Sequence, residues 1–114
     1  MQGDTVWAPS GGLYVSSGDG SAILSFRDEA YVDVGDKSDV CYRQDDARLQ
    51  GSFRAQHDDY LHGKVLYIEP AKLLENTQLT LDGNDFHIVG KGLRNPFRMA
   101  VNMENGDVYI GDVG

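Results

Sequence analysis

The sequence predicts an all-β chain of short antiparallel strands, on three observations. Glycine is abundant and proline scarce, 14 against 3 in 114 residues, which suits many tight turns and few long helices. No segment shows a sustained helical period. A strand–turn–strand phrase near the start returns near the end. At 114 residues the chain has room for one modest domain, with apolar content to form a core.

Element by element, Val6-Trp7-Ala8, then Pro9-Ser10-Gly11-Gly12, then Leu13-Tyr14-Val15-Ser16 reads as a hairpin. Met99-Ala100-Val101, Met103-Glu104-Asn105-Gly106 and Val108-Tyr109-Ile110-Gly111 repeat it. Tyr14 and Tyr109 are 95 positions apart, and that offset also pairs Val6 with Val101, Gly11 with Gly106, Leu13 with Val108 and Val15 with Ile110. Tight hairpins need positive φ, which the turn glycines supply without strain. Repeated hairpins mark radial β architecture, where each blade is a small antiparallel sheet; at ~40–50 residues per blade, the offset is two blades or one with a long insert. Between the hairpins, Gly63 to Glu69 alternates as a strand that Pro70 ends. Ala71 to Glu75 is a helical turn after that proline, and Phe86 to Gly90 is another short strand. Residues 21–61, with Asp28, Glu29, Asp33, Asp36, Asp39, Asp45 and Asp46, read as an acidic loop insert at one end of a blade.

Eighteen acidic against ten basic residues leave a net charge of −8, which argues against a nucleic-acid partner or an anionic membrane surface. No apolar run reaches the ~18 residues of a membrane-spanning helix, and no secretory leader opens the chain. The every-third aspartates Asp33, Asp36 and Asp39 lack the alternate spacing, central glycine and closing glutamate of a calcium loop, so they read as a solvated face. His57, His62 and His87 share no zinc-ligand spacing with each other or with Cys41, which has no base beside it in sequence.

The most specific segment is Gly92-Leu93-Arg94-Asn95-Pro96-Phe97-Arg98, where Pro96 forces Asn95 into an extended conformation. Two readings stand. The Arg94-Asn95 pair presents a planar cation and an amide to an oxygen-rich planar ligand, or Arg94 satisfies carbonyls at a blade corner.

That segment, followed by Gly106-Asp107-Val108-Tyr109-Ile110-Gly111-Asp112-Val113-Gly114, resembles the hallmark stretch of soluble PQQ-dependent sugar dehydrogenases, the glucose/sorbosone dehydrogenase family. Leu13-Tyr14-Val15-Ser16-Ser17-Gly18-Asp19-Gly20 matches an earlier strand of that family, and Phe53-Arg54-Ala55-Gln56 with Gly63-Lys64-Val65-Leu66 matches the segment between. The series covers about two thirds of the chain. The resemblance implies a six-bladed β-propeller with a quinone over one mouth of the central channel. Six blades need ~250 residues or more, so residues 1–114 are expected to be a fragment of about two blades.

By the same resemblance, Arg94 and Asn95 contact the PQQ quinone oxygens, and Asp19 orients the histidine that takes the sugar hydroxyl proton. Calcium is implied beside the cofactor, held by backbone carbonyls of which Gly114 matches the first; Val113 departs from members with a polar residue there. The catalytic histidine is expected one position before Met1, nine residues ahead of Pro9, so the 114 residues alone are expected to be inactive. The parent protein is expected to oxidise the C1 hydroxyl of an aldose, a small-molecule sugar, by hydride transfer to PQQ in a periplasmic or extracellular location; the resemblance names no electron acceptor. The alternative is a non-enzymatic protein-binding propeller similar to the hedgehog-interacting protein, which carries the same Leu-Arg-Asn-Pro stretch.

Overall fold

The computed structural model describes residues 3–19, 53–75 and 85–113. Asp28, Glu29, Asp33, Asp36, Asp39, Asp45 and Asp46 of the insert, with Cys41 and Gly114, lie outside them. Among the described residues, six strands run in chain order as β1 (Thr5–Trp7), β2 (Leu13–Ser17), β3 (Lys64–Ile68), β4 (His87–Lys91), β5 (Pro96–Val101) and β6 (Val108–Asp112). The helices among the described residues are short, α1 (Phe53–Gln56) and α2 (Pro70–Glu75). The chain is therefore all-β in the coarse sense, as its composition and turn spacing predict.

Strands β1 to β4 form one antiparallel meander in the order β1-β2-β3-β4, and β5 with β6 forms a separate two-stranded sheet. Glycine turns join β1 to β2 and β5 to β6, whereas residues 18–63 separate β2 from β3 and residues 69–86 separate β3 from β4. Gly11 and Gly106 both sit at positive φ, 88° and 81°, so the two hairpins turn on equivalent glycines. Their strand registers differ by one residue. In the first hairpin Ala8 and Gly12 close a three-residue loop, whereas Asn102 and Asp107 close a four-residue loop in the second. Val6 accordingly faces Tyr14, but Ala100, not Val101, faces Tyr109. The offset of 95 holds for the outgoing strands and is 94 for the incoming ones, which corrects the Val6–Val101 match.

The end of the expected insert is not loop. Phe53–Gln56 is helical, and Arg54 and Ala55 are buried. Among the described residues the buried apolar side chains are Ala8, Ala55, Val65, Leu66, Ile68 and Met99. Ser16, Asp19, Arg54, Lys64 and Asp85 are buried with them, so polar groups share the interior and need partners there. Ser16 and Asp4 join the two sheets. The Ser16 hydroxyl donates to the Pro96 carbonyl at 2.8 Å and accepts from the Asp4 amide at 2.9 Å. The Asp4 carboxylate in turn accepts from the Met99 amide at 2.9 Å.

Candidate functional site

Strand β2 ends at Ser17, and the chain continues through Gly18 into Asp19, which is only 3% exposed. The Asp19 amide donates to the Arg94 carbonyl at 2.9 Å, which ties the strand end to the corner that precedes β5. Asp19 and Arg94, far apart in sequence, thus stand side by side through their main chains. The Asp19 carbonyl accepts from Arg54 Nε at 2.9 Å.

The corner is built from both sides. Gly92 takes positive φ of 79°, and its amide donates to the Ala55 carbonyl at 2.9 Å. The Leu93 amide donates to the Gly63 carbonyl at 3.2 Å. The Asp112 carboxylate, at the end of β6, accepts from the amides of Arg94 at 3.2 Å and Asn95 at 2.7 Å. The Val113 amide closes the corner by donating to the Asn95 carbonyl at 3.0 Å. Pro96 starts β5, where a strand tolerates a missing amide, and Phe97 forms a bulge between the Pro96–Asp112 and Arg98–Gly111 pairs. Bulges commonly re-aim side chains beside functional sites.

One Arg94 nitrogen, Nη1, donates to the Val113 carbonyl at 3.1 Å, the corner-satisfying role that the residues alone allow. Asn95 differs. Its side-chain Oδ1 is buried without a hydrogen-bond partner. A buried orphan acceptor is disfavoured, and a terminal amide exchanges donor for acceptor by a half-turn. With that amide turned, the guanidinium and the amide at this corner can both donate to a planar, oxygen-rich anionic group.

Calcium has no such support in side chains. Among the described residues no three His, Cys, Asp or Glu side chains converge on a metal-sized site, and the Gly114 carbonyl lies outside those residues. The histidines belong to other contacts: His57 Nδ1 lies 3.8 Å from the Asp59 carboxylate, and His87 Nε2 lies 3.2 Å from Glu69. The His62 carbonyl accepts from Lys64. Among the described residues no helix is long and apolar enough to cross a membrane.

Sequence reasoning assigned no role to Asp112, Arg54 or Lys64. For Asp112 a signal existed, since Gly111-Asp112 closes the second hairpin as Gly18-Asp19 follows the first. Lys64 is fully buried, and Nζ reaches the carbonyls of Ala55 and His62 at 2.7 Å each. Burial holds its ammonium below the ordinary lysine value, while nearby Asp58 acts in the opposite sense.

Comparison with family models, curated proteins and solved structures found no match for this chain.

Proposed function

We propose that this chain is part of a quinoprotein sugar dehydrogenase that oxidises the C1 hydroxyl of an aldose, built as a six-bladed β-propeller. The observation that carries the reading is the hydrogen bond from Asp19 to the Arg94 carbonyl at 2.9 Å. It sets the two motifs of the resemblance, Gly18-Asp19 and Arg94-Asn95-Pro96, at one place. The four-stranded meander followed by a fresh hairpin agrees with one blade and the start of the next.

In this reading PQQ, when bound, supplies the hydride acceptor. Arg94 holds the oxygen-rich edge of the cofactor by charge, and its planar fork favours the oxygens as they gain negative charge. Asn95 fixes the orientation of the same edge through its side-chain amide. Asp112 keeps the main chain of both residues in place through their amides, so the backbone of the corner is set before binding. Buried Asp19 orients the histidine that accepts the sugar hydroxyl proton. Calcium, held in part by the Gly114 carbonyl, and a periplasmic or extracellular location belong to the same proposal.

Titration of PQQ into the intact protein tests it. Binding is expected, with Arg94→Ala and Asn95→Ala each weakening affinity by about tenfold or more, as loss of a charge-assisted or buried hydrogen bond does. Equal affinity in both variants returns the corner to a structural role and puts the protein-binding propeller ahead.

A further inference from the structure

Two buried cations bond to the main chain next to the proposed site. Lys64 opens β3 and is fully buried, with Nζ donating to three main-chain carbonyls: Arg54 at 3.2 Å, and Ala55 and His62 at 2.7 Å. Arg54 is 2% exposed and donates from Nε to the Asp19 carbonyl at 2.9 Å. Asp19 then donates to the Arg94 carbonyl at 2.9 Å. Three successive bonded contacts therefore lead from the Lys64 ammonium to the Arg94 main chain.

Parallel bonds brace the same segments. The Gly63 amide donates to the Gly18 carbonyl at 3.1 Å, the Leu93 amide to the Gly63 carbonyl at 3.2 Å, and the Gly92 amide to the Ala55 carbonyl at 2.9 Å. Gly63 sits among them at φ 63°, where an added Cβ would stand 2.5 Å from the Leu93 oxygen.

Water satisfies surface carbonyls without removing a charge from solvent. Here the Lys64 charge is buried against main-chain oxygens, which is unfavourable unless the donor geometry is well matched. What the arrangement provides is fixed spacing between α1, which joins no strand ladder, and the ends of β2 and β3, which pair at Ser17–Lys64.

We propose that Lys64 and Arg54 are positioning residues that set the Asp19 and Arg94 main chains relative to each other. Their catalytic consequence rests on the proposed function: they fix how far the carboxylate that orients the base stands from the cation facing the cofactor. The mechanical linkage is measurable without that reading.

Amide hydrogen exchange on the intact wild-type protein reads the linkage. The amides of Asp19, Gly63, Gly92 and Leu93 are expected to exchange through one shared opening, separate from the hairpin amides of Asn102 and Gly106. Lys64→Met keeps the stem and removes the donors; it is expected to speed Asp19 and Leu93 exchange about tenfold or more while leaving the hairpin amides unchanged. Lys64→Arg restores part of the protection. If Lys64→Met does not fold, the wild-type pattern alone decides. Asp19 exchanging independently of Gly63 and Gly92, or unaltered in folded Lys64→Met, overturns the proposal.

In the PQQ-loaded protein, Lys64→Met is expected to lower kcat about tenfold, leave the sugar KM within about twofold, and shift the acid limb of the kcat profile. An unchanged kcat and limb in that variant overturn the positioning role. Absence of turnover in the loaded wild type counts against the proposed function alone, and exchange then decides the linkage.

Discussion

Gly63→Ala is the perturbation whose size the structure fixes most closely. Gly63 holds φ of 63°, a left-handed conformation that costs a residue with a Cβ about 1–2 kcal/mol. The new methyl would also meet the Ala55 side chain, the Leu93 oxygen at 2.5 Å and the Ala55 Cα at 2.9 Å. Two of those neighbours are main-chain atoms, so α1 or the corner must move, and such overpacking costs about 1–3 kcal/mol. The total is about 2–5 kcal/mol, a large part of the ~5–15 kcal/mol that holds an ordinary domain folded. Gly106→Ala is the control, because Gly106 has φ of 81° but nothing within 4 Å of the added carbon. It should lose only the conformational part, about 1–2 kcal/mol. Urea unfolding of the intact protein, followed by circular dichroism, compares the two midpoints. With a slope of about 1–3 kcal/mol per molar, Gly63→Ala should unfold at clearly lower urea than Gly106→Ala. Equal midpoints would refute the close approach of α1 and Leu93 around Gly63.

Three further outcomes follow from the same contacts. Asp112→Ala removes the acceptor shared by the Arg94 and Asn95 amides, and should weaken PQQ binding about tenfold while the far-ultraviolet spectrum stays unchanged. Ser16→Ala leaves the buried inter-sheet bond to Pro96 and the part-buried bond from the Asp4 amide unmade, and should cost about 1–3 kcal/mol by urea unfolding. The Met99 amide, with that of Thr5, holds the Asp4 carboxyl below its ordinary 3.8. Its contribution is therefore present above about pH 3.8 and lost as pH falls further, so Asp4→Asn should flatten the acid end of a stability-against-pH curve.

The strands at 64–68 and 87–91 are legible in the sequence because apolar alternation and flanking turn residues are local signals. The two hairpins are legible for the same reason, through glycines that must turn with positive φ. The one-residue register difference is not, since Pro9-Ser10-Gly11 and Met103-Glu104-Asn105-Gly106 differ in length only once the closing bonds are known. The bulge at Phe97 is equally silent, because it exists in the pairing and not in the residue. At the site, Asp19, Arg94 and Asn95 stand out by motif, and the structure brings Asp19 and Arg94 together. Arg54 and Lys64 do not stand out, as cations bonded to main-chain oxygens leave no periodic trace and charge usually signals a solvated face. Their role becomes readable only when the carbonyls of Asp19, Ala55 and His62 have positions.

Sugar-dependent dye reduction by the intact, PQQ-loaded protein tests the assignment of Arg94 most directly. Wild type should turn over aldose, and Arg94→Ala should lower turnover by about 10²-fold or more, as removal of a charge-stabilising donor does. Arg94→Lys should recover little, because a point charge does not reproduce a planar fork. Near-wild-type turnover in Arg94→Ala, or no sugar-dependent reduction by the loaded wild type, would contradict it.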